Sequence, residues 1–362
     1  MGGPTIHLPY LVNFFQKKEP YQIRTFEYGS KIDGGSLIDG KETLLSKFIN
    51  NLQVFVLFFY DVIVFRPHII HINTAFDKRA LIRDIPFSVF SFVFRKKLIF
   101  KIHGSSYELI DTRNKLYLLL IKLFFLGAKK VGVLSEIEKK EFISRFGYTK
   151  RIVVTKNIVL PEKIGAKEGV HFFEKDPAKT YGLFVSRIVK GKGLIDVIRA
   201  LPSILKFHAG FILVVAGDGP EKESCIKVAI ELNVNNSIIW LGFVNNDQLS
   251  QLFIRSDIYC FLSHLPEGMP MSLVEALRHG MPIITTKVRF ALDHLEEHIN
   301  CLFVDPGNVN DITDKINTLI VNKELQKEMR KVNPEIVEKF SPEIVGNEFE
   351  VIYKQMLDKS GQ

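Results

Sequence analysis

The chain has 362 residues, 46% of them hydrophobic and 24% charged, with a formal net charge of +8. This length predicts two domains, because single cores rarely grow past roughly 250 to 300 residues, and the composition excludes a disordered chain. Three scattered cysteines, Cys225, Cys260 and Cys301, form no CxxC pair, which points away from a disulfide framework or a zinc site and towards a reducing compartment.

In chain order, the N-terminal stretch MGGPTIHLPYLVNFFQ has no basic region before its apolar residues and does not read as a signal peptide; Pro4 to Phe15 carries a helical pattern. Strands are expected at 21–27, 69–73, 98–103, 130–134 and 152–155. Between them, VFVLFFYDVIVF, IPFSVFSFVFRKKLIF and LYLLLIKLFFLGA are rich in Phe and Leu, yet none reaches the ~18 uncharged apolar residues of a transmembrane helix. Each reads first as a core element. Arg95, Lys96, Lys97 and Lys122 nevertheless lie beside aromatics in the pattern of a helix resting at a lipid interface. Residues 1–165 hold 26 Lys plus Arg against 14 Asp plus Glu, and residues 166–362 hold 22 against 26, so the whole positive excess is in the first half. That asymmetry suggests an anionic partner, with lipid favoured over nucleic acid because no nucleic-acid motif is present. His68 and His71 are three apart on an expected strand, point to opposite faces, and read as structural.

The polar stretch 161–180 reads as a linker. Beyond it, strands are expected at 181–186, 211–216, 238–241, 258–262, 282–285 and 301–304, alternating with helical patterns, which argues for parallel sheets covered by helices. SRIVKGKG places Arg187 and Lys192 in a glycine-bearing loop after the first of these strands, and AGDGPE puts Gly217 after the second. The most informative stretch is SHLPEGMPMSLVEALRHGMPIITT, from Ser263 to Thr286. Its Gly268 to Pro270 turn opens a helix whose first N–H groups, at Met271 and Ser272, are free to hold an anion, with Glu267 and Glu275 on either side. Eight helical steps would separate these carboxylates by ~12 Å, too far to flank one glycosidic bond as hydrolases do.

In this order and spacing, the second half resembles the nucleotide-sugar-binding domain of the retaining family-four glycosyltransferases, closely over about 179–322 and loosely before. The resemblance implies an α/β GT-B fold: two Rossmann-like domains with parallel sheets facing across a cleft, spanning 1–165 for the acceptor and 166–340 for the donor, with a C-terminal helix over 341–362 packing back towards the first domain. It further implies that Arg187 and Lys192 clamp the diphosphate, Glu275 accepts from the ribose hydroxyls, Glu267 contacts the donor sugar, and His103 approaches that sugar from the first domain. Gly2, Gly3, Gly217, Gly242, Val244, Gly268, Met271 and Ser272 match donor-binding positions. No metal or other cofactor is expected, since the cations suffice and no Asp-x-Asp motif is present.

Three departures from the family's pattern stand out. The first strand that precedes the family's Gly-Gly loop has no counterpart, so either the true start lies upstream or the first sheet has lost a central strand. Arg289 and Phe290 stand where small residues are common, and Cys301 where glycine is common, which bears on the donor pocket. The expected activity is a retaining, metal-independent hexosyl transfer from a nucleotide sugar to a lipid-linked or polysaccharide acceptor in cell-surface glycan synthesis, cytoplasmic and peripheral at the inner membrane face. A nucleotide-sugar epimerase and a non-catalytic donor-binding subunit are the alternatives.

Overall fold

The computed structural model describes residues 3–28, 44–160 and 174–358. The first part carries α1 (Gly3–Gln16), α2 (Leu44–Phe65), β1 (Ile69–Phe76), α3 (Lys78–Val93), β2 (Lys97–Ser105), α4 (Tyr107–Ile110), α5 (Lys115–Leu126), β3 (Ala128–Val133), α6 (Glu136–Phe146) and β4 (Ile152–Val154). The second carries β5 (Thr180–Val185), α7 (Leu194–Phe207), β6 (Phe211–Ala216), α8 (Lys222–Glu231), β7 (Ile238–Gly242), α9 (Asn246–Arg255), β8 (Ile258–Phe261), α10 (Met271–Arg278), β9 (Ile283–Thr286), α11 (Arg289–His294), β10 (Leu302–Val304), α12 (Val309–Val321), α13 (Lys323–Glu338) and α14 (Pro342–Leu357). Two compact units result. The C-terminal unit gathers Met1–His7, Leu134–Glu138 and Lys156–Val345; the N-terminal unit gathers Leu8–Val133, Lys139–Thr155 and Gly346–Gln362.

In the C-terminal unit, six parallel strands lie in the order β10-β9-β8-β5-β6-β7. Their sequences are continuous apolar runs, such as the FILVVA of β6, because helices cover both faces and no strand position can be left polar. One face packs with α7, α8 and α12 through Leu213, Val215, Ile198 and Ile316, and the other with α9, α10 and α13 through Val214, Tyr259, Leu277 and Val337. From β5 the chain steps outward to β6 and β7, then returns across β5 to lay β8 on its other side. The carboxyl ends of β5 and β8 therefore flank a topological switch point, where open α/β sheets bind ligands.

In the N-terminal unit, the described strands form a four-stranded parallel sheet, β1-β2-β3-β4. Strand alternation sorts its two faces. Ile70, Ile72, Leu98, Phe100, Ile102 and Val131 pack beneath α2, α3 and α5 in a phenylalanine-rich core, whereas Ile69, Ile99 and Val153 meet Ile352 and Met356 of α14. The strand expected at 21–27 does not form: this segment joins no ladder among the described residues, and side chains fix it instead. The Tyr28 hydroxyl donates to the Asn73 carbonyl at 2.8 Å and Arg24 pairs with Asp61 at 2.7 Å. β2 also runs past His103, through Gly104 to Ser105.

Beneath α14 the sheet carries polar side chains. His71 is bonded through Nδ1 to the Tyr353 hydroxyl at 2.6 Å and stacks on Phe349, while the fully buried Lys101 donates to the Thr155 carbonyl at 2.8 Å and lies over the same Phe349 ring. Burial, reinforced by the Lys101 charge, lowers the His71 pKa from 6.5 to about 3, so the imidazole is neutral in the native state. An unfolded chain takes up this proton below about pH 6.5 while the native chain does not, so stability is complete above that pH and is lost progressively as pH falls towards 3. We expect protection of the β1 and β2 amides against hydrogen exchange to weaken over this window, and His71→Gln, which cannot charge, to flatten the dependence. An equal pH slope in the variant would assign the acid sensitivity elsewhere.

Candidate functional site

After β5 the chain must turn sharply to enter α7 while staying close to the end of β8. Gly193 permits this: its φ is 82°, and a Cβ there would lie 2.0 Å from the Leu262 carbonyl oxygen. The approach brings the β5 and β8 loops into contact. The His264 N–H donates to the Gly191 carbonyl at 2.7 Å, and His264 Nε2 meets Asp196 Oδ2, in the first turn of α7, at 2.6 Å. Between these anchors Lys192 Nζ donates to Glu267 Oε1, an oxygen that also accepts from Ser263 Oγ at 3.1 Å. The lysine and the glutamate, 75 residues apart, thus meet at the switch point. An ammonium has three donors, so Lys192 retains two for a further anionic partner.

The neighbouring loops are held by a second close approach. A Cβ on Gly217 would lie 1.9 Å from the Ser186 carbonyl oxygen, and the Gly217 N–H donates to the Gly242 carbonyl at 2.7 Å, so the ends of β5, β6 and β7 converge. The Ile188 N–H donates to the Asp218 carbonyl at 2.9 Å, which fixes the backbone next to Arg187. Arg187 itself is exposed and makes no ion pair among the described residues. Gly242 has a φ of 67°, and Val244 packs half-buried against the core cluster that includes Met269 and Leu273.

α10 starts at Met271 behind Pro270, with no side chain capping it. The first carbonyl, that of Pro270, receives the N–H groups of Leu273 and Val274, each at 3.1 Å, while those of Met271 and Ser272 belong to the unbonded first turn. The Ser272 side chain is bonded to the buried Tyr259 hydroxyl. Glu275 is paired with Arg278 one turn on, and burial raises its carboxyl pKa against the pull of that guanidinium. Gly268 leaves the loop close to Leu134, where a Cβ would come within 3.0 Å.

The two unusual residues after β9 are structural supports. Arg289 is 2% exposed and pairs at 3.3 Å with the fully buried Glu138, while the same nitrogen donates to the Pro266 carbonyl at 3.2 Å. The Phe290 N–H donates to the Glu267 carbonyl at 3.2 Å. Together they grip the backbone on both sides of the Pro266–Glu267 peptide. Cys301 is fully buried in the same apolar cluster as Phe290, and burial pushes its thiol pKa up. Sequence reasoning had no signal for Ser263, Asp196, His264 or Glu138 in these supporting roles, since each acquires its partner only through the loop crossings.

His103 belongs to the other unit. It stands half-buried on the sheet face beneath α14, with Nε2 2.7 Å from Asn73 Oδ1, and burial together with Lys101 lowers its pKa to about 2. The imidazole is therefore neutral in the native state. Gly3 is the first residue of α1, and Gly2 lies outside the described residues.

Comparison with known proteins bears on the family resemblance and the fold. A model of the family described as glycosyl transferases group 1 matches residues 168–335. A glycosyltransferase of Methanocaldococcus jannaschii without assigned function is 30% identical over 243 residues, covering 64% of this chain and 61% of the relative. N-acetyl-alpha-D-glucosaminyl L-malate synthase of Bacillus anthracis is 26% identical over 205 residues, covering 53% of each. The chain thus spans little more than half the length of these relatives. HepE of Anabaena, whose crystal structure holds UDP, superposes with a TM-score of 0.69 at 18% identity, over 85% of this chain and 84% of that one. Residues 168–335 thus resemble the glycosyl transferases group 1 family, and the chain shares the GT-B fold of that solved structure.

Proposed function

We propose that this protein is a retaining, metal-independent glycosyltransferase that moves a hexosyl group from a nucleotide sugar to a lipid-linked or polysaccharide acceptor at the cytoplasmic face of a membrane. The observation that carries the reading is the meeting of Lys192 and Glu267 at the switch point between β5 and β8. Cleavage of the bond from anomeric carbon to phosphate leaves its electron pair on the departing diphosphate. Fixed cations stabilise that developing charge more than they stabilise the bound substrate. Lys192, held by Glu267, and the exposed Arg187 supply them, and the free N–H groups of Met271 and Ser272 add to the same field. Glu267, with one oxygen engaged by Lys192 and Ser263, has its other oxygen for a sugar hydroxyl. Glu275 is the ribose ligand in this reading, and His103 donates or accepts a neutral hydrogen bond at the sugar. The family resemblance supports retention, and the basic first half supports an anionic, lipid-associated acceptor. The donor is to be identified by a thermal-shift screen of nucleotide sugars, in which a ligand at 100 times its dissociation constant stabilises by about 2.7 kcal/mol.

With that donor, Arg187→Ala and Lys192→Ala should each lower turnover by on the order of a hundredfold or more, while leaving the chain folded. Wild-type turnover in either variant would remove that residue from the clamp. Product analysis with donor alone should return unreacted nucleotide sugar; an epimerised sugar would replace transfer by epimerisation.

The two carboxylates should separate by calorimetry. Glu275→Gln should weaken binding of the bare nucleoside diphosphate, whereas Glu267→Gln, which frees Lys192, should leave that binding intact or stronger and depress transfer. The reverse pattern would exchange their roles.

A further inference from the structure

Over residues 52–65, α2 is apolar apart from Gln53 and Asp61, with one side packed and the other open. Phe58 and Val62 face the core beneath α3, whereas Val56, Tyr60 and Ile63 are 58%, 63% and 55% exposed on the opposite side. On α3, Phe92, Val93 and the following Phe94 are likewise more than half exposed. Between the two helices lies an open groove of about 280 Å³, walled by Phe59, Val62 and Ile63 of α2 and by Phe90 and Phe94. Two cations complete its lining: Arg66, just after α2, and Lys96, just after α3. Neither is ion-paired among the described residues. Arg66, and Arg95 beside Lys96, both take the left-handed conformation, φ 50°, at a helix end where glycine is the favoured residue. Lys97, by contrast, donates to the Leu357 carbonyl at 3.0 Å and does not belong to this rim.

We propose that this groove binds one anionic phospholipid of a bilayer, with an acyl segment against Phe59, Ile63 and Phe94 and the phosphate held by Arg66 and Lys96. The proposal deepens the membrane-associated reading above by giving it a site. An amphiphile of this kind satisfies both halves of the lining at once. A soluble acidic glycan has nothing to fill the apolar wall, and a second copy of the chain would set two basic rims against each other. No described helix is long and apolar enough to cross a membrane, so the contact is a surface one.

The test uses the full chain without donor or acceptor, so that its failure is distinct from failure of the transferase reading. Flotation should recover the protein with vesicles of phosphatidylcholine plus phosphatidylglycerol, not with phosphatidylcholine alone, and added salt should weaken the recovery. Arg66→Glu with Lys96→Glu should lower partitioning about tenfold or more, each cation near an anionic surface contributing on the order of tenfold in affinity or somewhat less. Ile63→Asp, exposed and therefore compatible with folding, should abolish it, whereas Val56→Asp, on the same face but outside the groove, should retain most of it. Equal loss at both positions would show a diffuse interfacial face instead of a lipid site. Binding to neutral vesicles as well, or to none, would overturn the proposal outright.

Discussion

The chain's return from β7 across β5 to begin β8 is the constraint on which the candidate site depends. All six strands of this sheet are parallel, so every strand delivers its following loop to the same edge, and the reversal of winding direction leaves the β5 and β8 loops with no strand between them. Lys192 and Glu267 can then meet although they are far apart in sequence. Had β8 been added beyond β7, two strands would stand between the β5 and β8 loops, three spacings of roughly 4.8 Å, and the two residues would lose the close approach that lets them meet.

Convergence at this edge demands backbone approach that side chains would prevent. At Gly193 against Leu262, Gly217 against Ser186 and Gly219 against Ile188 a Cβ would overlap a carbonyl oxygen, and all three take backbone angles that other residues rarely adopt. Supporting bonds then fix the loops: His264 to Asp196 on one side, Arg289 to Glu138 and to the Pro266 carbonyl on the other. The buried Arg289–Glu138 pair carries a desolvation cost that is offset only if both partners stay well bonded, so the local stability of the Glu267 loop is tied to the integrity of that pair.

The two units use opposite strategies for their polar groups. In the C-terminal unit, charge is concentrated at the strand ends and the faces of the sheet are dry. In the N-terminal unit, His71, Lys101 and His103 lie on one face of the sheet itself, and α14 covers that face with Phe349 and Tyr353. These groups are kept neutral, or are lowered strongly towards neutrality, because an aromatic helix shields them from water. The opposite face is built from phenylalanine, and the excess of that residue extends beyond the core to the exposed sides of α2 and α3.

The sequence places the strands of the second half to within a residue at each end, because buried parallel strands are largely apolar runs and that signal is local. It also determined the glycine-bearing loops and the two glutamates, since each sits at a recognisable distance from a strand end. The segment at 21–27 reads as a strand because Tyr21 and Ile23 alternate with polar residues, yet it pairs with no strand among the described residues. Tertiary structure alone decided that Lys192 rests on Glu267, that Arg289 is a buried support and no part of a glycine-rich turn, and that Lys97 faces the C-terminal helix while Lys96 lines a groove with Arg66. These are contacts between residues tens to hundreds of positions apart, set by which strand lies beside which, and strand order leaves no periodic trace in a single sequence.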